Sequence, residues 1–128
     1  MIQIDHLDHL VLTVASIERS CAFYGGVLGM RIEIFAAGRT ALRFGQQKIN
    51  LHEAGREFAP KAAKATPGSA DLCFISASPL DQVISHLLAC DVTVVAGPVA
   101  RTGATGPIRS VYIRNPDGNL IELSNPQA

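Results

Sequence analysis

Two stretches of the chain begin with an alternating strand pattern and then continue through the same order of elements. Leu7 to Val14 alternates between two faces, and His9 begins the second of them. From Ser16, a suitable N-cap, apolar side chains recur at helical spacing until glycines stop the pattern at Gly29. The next residues predict three short strands, at 30–35, 40–44 and 48–53. The first half therefore reads β-α-β-β-β.

The second half repeats this order after residues 54–69, where two prolines and the absence of an apolar period predict a linker. Residues 70–76 predict a strand, and Ser78-Pro79-Leu80-Asp81 predicts a capping box that opens an amphipathic helix. The remaining pattern predicts a strand at 92–95, a loop at 97–107 and a hairpin that turns at Asn115-Pro116-Asp117-Gly118. We therefore expect an α+β fold of two tandem βαβββ modules in a single domain, residues 1–128. Module one covers about 5–53 and module two about 70–125.

Superposition of the two halves aligns polar residues in matching strands. His9 of the first strand falls on Asp71, and Asn50 of the fourth strand falls on Glu122. His52 lies one step beyond Asn50 on the same face. Independent surface placement would seldom generate such a symmetric set, so we interpret these side chains as one shared polar site.

Each member of this set also has a simpler interpretation. Glu122 could face solvent from an edge strand, and His9 could be a core histidine bonded to the backbone. His52 ends its strand and could be exposed, while Asp71 could cap the linker turn. A carboxylate on an enclosed face must be neutralised, paired or bound to a cation, and this requirement favours the shared site.

Composition narrows the class of partner. The 128 residues are 48% hydrophobic and 17% charged, which is typical of a folded protein, and eleven Lys plus Arg balance eleven Asp plus Glu. The zero net charge gives no electrostatic reason to expect nucleic acid or a membrane as partner, and a small-molecule substrate fits better. Three cysteines without a CxxC pair or a secretory leader predict reduced thiols in the cytoplasm.

Imidazole nitrogen together with carboxylate oxygen suits a divalent metal such as Zn, Ni, Mn, Fe or Co. The candidate ligands are His9, His52, Asp71 and Glu122. A metal held this way can stabilise an enolate or oxyanion, and a spare carboxylate, Asp71 or Glu122, can act as the base. The candidate substrate-binding residues, for which packing or surface roles are the alternative, are Thr13, Asn50, Arg101 and Tyr112.

Three segments resemble the vicinal oxygen chelate superfamily, which includes glyoxalase I, fosfomycin resistance proteins, extradiol dioxygenases and bleomycin resistance proteins. They are Asp8–Val14, Phe23–Met30 and Asn115–Glu122. More narrowly, three further segments look like the glyoxalase domain-containing protein 5 group. These are Phe44–Glu53, Pro67–Asp71 and Gly97–Pro107.

The resemblance implies that the modules form a cup-shaped, partly open mixed sheet around a metal, often in a homodimer. His9 and Glu122 fall on the family's first-strand and last-strand ligand positions. Asp71 stands where many members have a second histidine, and Asn50 stands where glyoxalase I has another glutamate. Because asparagine cannot act as a base, a glyoxalase I reaction would need Asp71 or Glu122 to remove the proton.

Two hypotheses for function follow from these residues. The first is a metal-dependent lyase or dioxygenase that chelates a small oxygenated substrate, in the manner of lactoylglutathione lyase or of the dioxygenases. The second is a metal-free protein that binds or sequesters a small molecule, as bleomycin resistance proteins do. A structural dimerisation module is a third alternative.

Overall fold

The computed structural model describes residues 1–127, which form two modules with the same succession of elements. The first module contains β1 (His9–Val14), α1 (Ile17–Gly26), β2 (Arg31–Phe35), β3 (Arg39–Phe44) and β4 (Gln47–Glu53). The second contains β5 (Asp71–Ile75), α2 (Leu80–Ala89), β6 (Ala96–Thr102), β7 (Pro107–Arg114) and β8 (Leu120–Pro126). The chain divides into two compact units between Pro67 and Gly68. The predicted α+β fold of two βαβββ modules is confirmed.

Each module folds its four strands into one mixed sheet with an equivalent strand order. The order is β1-β4-β3-β2 in the first module and β5-β8-β7-β6 in the second, with the first and last strands side by side. These two pairs are parallel and the others are antiparallel. Val11 lies opposite Asn50, and Cys73 lies opposite Glu122. The two registers therefore agree with the superposition of the sequence halves.

Helix α1 covers one face of the first sheet. A Cβ atom added to Gly25 of α1 would lie 3.4 Å from Cδ1 of Ile32, which shows that Ile32 faces the helix. The strand register carries this face from Ile32 to Leu42 and Ile49, both fully buried. Alternate residues point the opposite way, and we call that surface the helix-free face of module 1. It carries Phe35, Arg39, Lys48, Asn50 and His52, together with His9 and Thr13 of β1.

Helix α2 covers the corresponding face of the second sheet. Asn125 of β8 reaches the start of α2, where its Oδ1 accepts the backbone N–H of Leu80 at 2.6 Å. Asn125 shares this face with the buried residues Ile121 and Leu123. The opposite surface is the helix-free face of module 2. It carries Asp71, Cys73, Arg101, Ser110, Tyr112, Glu122 and Ser124.

Matching residues of the last strands tie each helix to its own sheet. Ser16 is the N-cap of α1, as predicted, and its Oγ accepts the backbone N–H of Arg19 at 3.2 Å. Glu53 Oε1 also accepts the N–H of Ile17 at 3.1 Å. Glu53 and Asn125 are equivalent in the superposed halves. Both therefore satisfy a backbone donor that the first turn of a helix would otherwise leave unpaired.

The predicted capping box at the start of α2 is wrong. Pro79 occupies the N-cap position and makes no side-chain capping bond. Asn125 supplies the acceptor instead, and its Nδ2 donates to the carbonyl oxygens of Ser76 and Ser78 at 3.2 and 2.9 Å. A four-residue pattern does not reveal this acceptor because it lies 45 residues further along the chain.

The second strand of module 2 lies later than predicted. The apolar run suggested a strand at 92–95 and a loop at 97–107, whereas β6 occupies Ala96–Thr102. Because β6 is at the edge of its sheet, Pro98 does not interrupt a shared ladder. Gly97 has a φ of 98°, and a Cβ atom there would lie 2.4 Å from a carbonyl oxygen of β7. Glycine is therefore what allows β6 to approach β7 at this point.

The predicted linker, residues 54–69, contains no helix or strand. Within it, Glu57 accepts hydrogen bonds from the Gly55 backbone at 3.0 Å and from Lys61 Nζ at 3.3 Å. Phe58 packs against the helix-free face of module 1, with its ring centroid 5.8 Å from that of His52. The segment thus adds an aromatic side chain to the first module.

Both helices contain ten residues, whereas a helix that crosses a membrane needs about 20 apolar residues. Within residues 1–127, no helix is long and apolar enough to span a bilayer.

Candidate functional site

Glu122 lies in the middle of β8 on the helix-free face of module 2, and it is half-buried. Ser110 of β7, which is fully buried, donates from Oγ to Glu122 Oε2 at 2.5 Å. This bond occupies only part of the acceptor capacity of the carboxylate, which offers about four lone-pair sites. Glu122 is therefore held in place while part of its carboxylate can still accept a metal or a proton.

A chain of hydroxyl groups continues behind Ser110. Ser124 Oγ lies 2.6 Å from Ser110 Oγ, and Cys73 Sγ lies 3.4 Å from Ser124 Oγ. An ionised Glu122 can only accept, so the single proton of Ser110 points to Glu122 and Ser124 must donate to Ser110. Desolvation of the sulfur, aided by the negative charge of Glu122, raises the pKa of the Cys73 thiol. Cys73 therefore stays protonated and can donate to Ser124.

His9 begins β1 with its ring exposed. Its Nδ1 lies 2.8 Å from Asp8 Oδ2, and this hydrogen bond lowers the pKa of the Asp8 carboxyl. Because Nδ1 donates to Asp8, the Nε2 atom of His9 carries the lone pair that a metal would need. His6 makes the same kind of contact with Asp5 in the segment before β1. The Asp-His pair alone therefore does not identify a ligand.

Asn50 and His52 project from β4 on the helix-free face of module 1. Asn50 is 6% exposed, and its Oδ1 has no hydrogen-bond partner among residues 1–127. His52 is 3% exposed, so the interpretation of this residue as solvent-exposed is wrong. Its Nε2 lies 3.4 Å from Arg39 Nη2, which can only donate. Burial, followed by the Arg39 charge, lowers the pKa of His52 and favours the neutral ring.

The Arg39 contact bears directly on the proposed ligand role of His52. A metal bound at His52 Nε2 would replace Arg39 at the same lone pair. It would also place two positive charges within a few ångströms of each other. Coordination by this nitrogen therefore requires the guanidinium to move away.

The remaining candidates lie on the same two faces. Thr13 is opposite His52 across the β1–β4 pair, and Asp71 is the exposed first residue of β5. Arg101 belongs to β6, so its predicted place in a loop is wrong. Its Nε donates to the Tyr112 hydroxyl at 2.9 Å, and its guanidinium carbon lies 5.5 Å from the centre of the Tyr112 ring. Arg101 and Tyr112 therefore form one polar unit on module 2.

The donor types present fit a divalent metal, since imidazole nitrogen and carboxylate oxygen are ordinary ligands for zinc and its neighbours. Across the described range 1–127, however, no group of three or more His, Cys, Asp or Glu side chains is placed to hold such an ion. The donors occur instead as the His9–Asp8 pair and as Glu122 with its serine partner. The predicted four-ligand metal set stays a prediction.

Sequence reasoning missed three residues that shape these faces. Ser110 could have been found from the predicted hairpin, because the register that starts at its turn places Ser110 beside Ser124 and Glu122. Arg39 lies just before the predicted strand 40–44, and extension of that strand by one residue would have placed it opposite His52. Phe58 has no signal, because it lies in an irregular segment whose path depends on packing.

Comparison with known proteins gives a consistent result. Residues 6–123 match the family model of the Glyoxalase/Bleomycin resistance protein/Dioxygenase superfamily. Virulence protein STM3117 of Salmonella typhimurium is 57% identical over 121 residues, which cover 94% of this chain and 84% of that protein. Glyoxalase domain-containing protein RDO1 of Mycosarcoma maydis is 52% identical over 121 residues, which cover 94% of this chain and 68% of that protein.

Solved structures agree with the sequence matches. The crystal structure of STM3117 superposes with a TM-score of 0.96 at 55% identity, over 98% of this chain and 100% of that one. A lactoylglutathione lyase from Agrobacterium tumefaciens has a TM-score of 0.73 at 22% identity, over 96% and 95% of the two chains. TnmS3, an antibiotic-binding protein from Streptomyces, has a TM-score of 0.76 at 21% identity, over 99% and 100%. The last two show the fold alone. Taken with the family match, these relatives show that the chain belongs to the glyoxalase/bleomycin resistance protein/dioxygenase superfamily.

Proposed function

We propose that this protein is a metal-dependent enzyme of glyoxalase type, with His9 and Glu122 as ligands of a divalent ion. The observation that carries the proposal is the fixed carboxylate of Glu122. It lies in mid-strand, and a fully buried serine holds one of its oxygens at 2.5 Å. Hydrogen bonds of this kind commonly orient metal ligands and increase metal affinity.

The side chains divide into a few roles. A bound divalent ion would act as a Lewis acid toward two neighbouring oxygens of a small substrate. His9 offers Nε2 because its other ring nitrogen bonds Asp8. Glu122 or Asp71 would accept the substrate proton, since Asn50 cannot. Asp71 and His52 are the further candidate ligands, and the Arg39 contact makes His52 the weaker of the two.

The substrate-binding roles proposed for Thr13, Asn50, Arg101 and Tyr112 have uneven support. Arg101 and Tyr112 already bond each other, which would hold the guanidinium ready for a substrate oxygen. Asn50 has a buried and unpartnered Oδ1 among the described residues. Thr13 is half-buried opposite His52.

The direct test is the metal content of protein purified without chelator or added metal. We expect about one divalent ion per chain in the wild type and loss of that ion in His9→Ala. His6→Ala is the matched control because His6 is also an exposed histidine bonded to the aspartate before it. Equal metal content in both variants would contradict the assignment of His9.

Turnover assays then separate the lyase from the dioxygenase outcome. Methylglyoxal with glutathione tests a lactoylglutathione lyase reaction, and catechols with dioxygen test ring cleavage. Activity that disappears with Glu122→Gln and not with Glu18→Gln, the same change at an exposed residue of α1, would support a catalytic role for the carboxylate. Activity that survives Glu122→Gln would contradict that role.

The second candidate function is a metal-free binding protein. The structural likeness to an antibiotic-binding protein and the absence of an assembled three-ligand group within residues 1–127 favour it. Protein that stays metal-free and ignores added zinc, nickel, manganese and iron(II) would support this function over the enzyme.

We also propose that the protein is a homodimer in the cytoplasm. Light scattering after size-exclusion chromatography would measure the oligomeric state, with a mass of two chains expected. The narrower resemblance to the glyoxalase domain-containing protein 5 group stays a prediction.

A further inference from the structure

We infer that the helix-free face of module 1 binds a small hydroxy acid, meaning an organic anion with a hydroxyl group next to its carboxylate. The claim that this hydroxy acid is a substrate rests on the proposed function. The binding itself rests on the contacts of module 1 alone and requires no metal.

Two cations on this face form no direct ion pair among residues 1–127, and the charge of Lys48 is only the smallest of the influences that lower the pKa of the Asp8 carboxyl. Lys48 Nζ lies 4.0 Å from the centre of the Phe35 ring, and Arg39 Cζ lies 5.4 Å from the same ring. Neither forms an ion pair within residues 1–127. By contrast, Arg43 on the same face is paired with Glu33 at 3.1 Å. Two like charges around one ring repel each other, and an anion between them would relieve that repulsion.

The orientation of Arg39 is fixed by three contacts. Its guanidinium carbon lies 5.4 Å from the centre of the Phe35 ring and 4.9 Å from that of Phe58, and one nitrogen donates to His52 Nε2 at 3.4 Å. The planar guanidinium keeps its remaining N–H groups in one plane, which suits a carboxylate that accepts two parallel hydrogen bonds. The rings leave an apolar surface for the rest of the ligand.

The buried amide of Asn50 is the reason that the ligand needs a hydroxyl group. It projects from β4 between Lys48 and His52 on the same face, and two residues along a strand span about 7 Å. Its side chain is 94% buried, and its Oδ1 has no hydrogen-bond partner among the residues described. A buried polar atom without a partner costs free energy, and a hydroxyl can donate to it. The anion would therefore bind the cations and its hydroxyl would bind Asn50.

Titration of the ¹⁵N-labelled full chain, followed by NMR in the presence of EDTA, tests the inference without metal. The probes are mandelate, phenylacetate, mandelamide and inorganic phosphate. Phenylacetate lacks the hydroxyl and mandelamide lacks the charge. Because each removes one charge-assisted or buried hydrogen bond, we expect both to bind about tenfold or more weakly than mandelate.

Substitutions on this face provide a second test of the inference. Arg39→Ala and Lys48→Met should each weaken mandelate binding about tenfold, because each removes one cation. Arg19→Ala and Lys64→Ala remove the same charges from exposed positions elsewhere and should bind like the wild type. Asn50→Asp places a negative charge at the hydroxyl position, next to the carboxylate of the ligand, and should abolish binding by repulsion. If one variant fails to unfold cooperatively, the remaining two still decide the result.

Unchanged mandelate affinity in Arg39→Ala, Lys48→Met and Asn50→Asp would overturn the inference. So would phosphate binding as tightly as mandelate, since that would show attraction to charge alone, and so would a wild type that binds none of the probes. Wild-type protein that binds mandelate in EDTA but never binds metal would overturn the proposed function and leave this inference intact.

Discussion

The helix-free faces of the two modules have the same backbone frame and opposite chemistry. On module 1, Arg39 and Lys48 lie near the Phe35 ring and form no direct ion pair among the described residues, and Asn50 on the same face is buried. On module 2, the equivalent of Asn50 is Glu122, which two buried serines support. The first face presents an amide near two cations, while the second presents a carboxylate that accepts a hydrogen bond from one serine.

The helix-covered faces of the two modules remain alike. Glu53 and Asn125 occupy the same place in β4 and β8, and both cap the first backbone N–H of their helix. The strand registers also match. The packing side of each sheet is constrained by the buried contacts to its helix. The two modules therefore share their fold but not the chemistry of their helix-free faces.

The largest expected effect is that of Gly97→Ala in module 2. The new Cβ would lie 2.4 Å from the Ser110 carbonyl oxygen, at a φ of 98° that side chains rarely adopt. We expect about 3 kcal/mol of lost stability from the clash and the strained backbone. Gly26→Ala is the control because a Cβ there meets nothing within 4 Å. Urea unfolding measures both, and equal stability of the two variants would contradict this description of β6.

The helix caps give the next largest effect. Asn125→Ala should cost about 2 kcal/mol, because it removes the acceptor for Leu80 and a donor to two carbonyl oxygens. Glu53→Ala should cost about 1 kcal/mol, because Ser16 still caps α1. Chemical denaturation compares the two. A larger loss for Glu53→Ala would show that the caps are not used as the geometry indicates.

The next prediction compares two buried serines, one that bonds Glu122 and one that does not. Ser110→Ala should lower stability by about 1 kcal/mol and metal affinity by about tenfold, because Glu122 loses the donor that orients it. Ser20 is buried to a similar degree, but its Oγ has no partner within residues 1–127, so Ser20→Ala should leave both quantities nearly unchanged. The readouts are urea unfolding and calorimetric titration with zinc. Equal effects of the two substitutions would contradict the proposed role of Ser110.

Much of this contrast could be predicted from the sequence. The order of elements and the Asn50–Glu122 equivalence follow from local periodicity and from the repeat. The position of β6 could not be predicted, because Gly97 and Pro98 locally indicate a loop. An edge strand tolerates both residues, but the sequence does not show that β6 is at the edge. The contacts of Arg39, Phe58 and Ser110 also depend on strand register or on the path of the linker, which local patterns do not define.

The smallest expected effect is a pH dependence that arises on module 1. The pKa of His52 is lowered from its usual value near 6.5 by burial and by Arg39. Below about pH 6.5, His52 binds a proton more readily in the unfolded chain than in the folded one. The contribution of His52 to the free energy of unfolding is therefore fully present above about pH 6.5 and decreases as the pH falls. His52→Gln should reduce this loss in EDTA-treated protein, and His6→Gln should not. Thermal unfolding from pH 7 to pH 5 measures both, and parallel curves for the two variants would show that His52 does not titrate as described.

The most direct test of the central claim compares the equivalent positions Glu122 and Asn50 by calorimetric titration of metal-free protein with a divalent ion. We expect Glu122→Gln to lose measurable binding and Asn50→Ala to bind the ion as the wild type does. Unchanged binding by Glu122→Gln, or an equal loss in Asn50→Ala, would contradict the claim that the carboxylate of module 2 carries the metal chemistry.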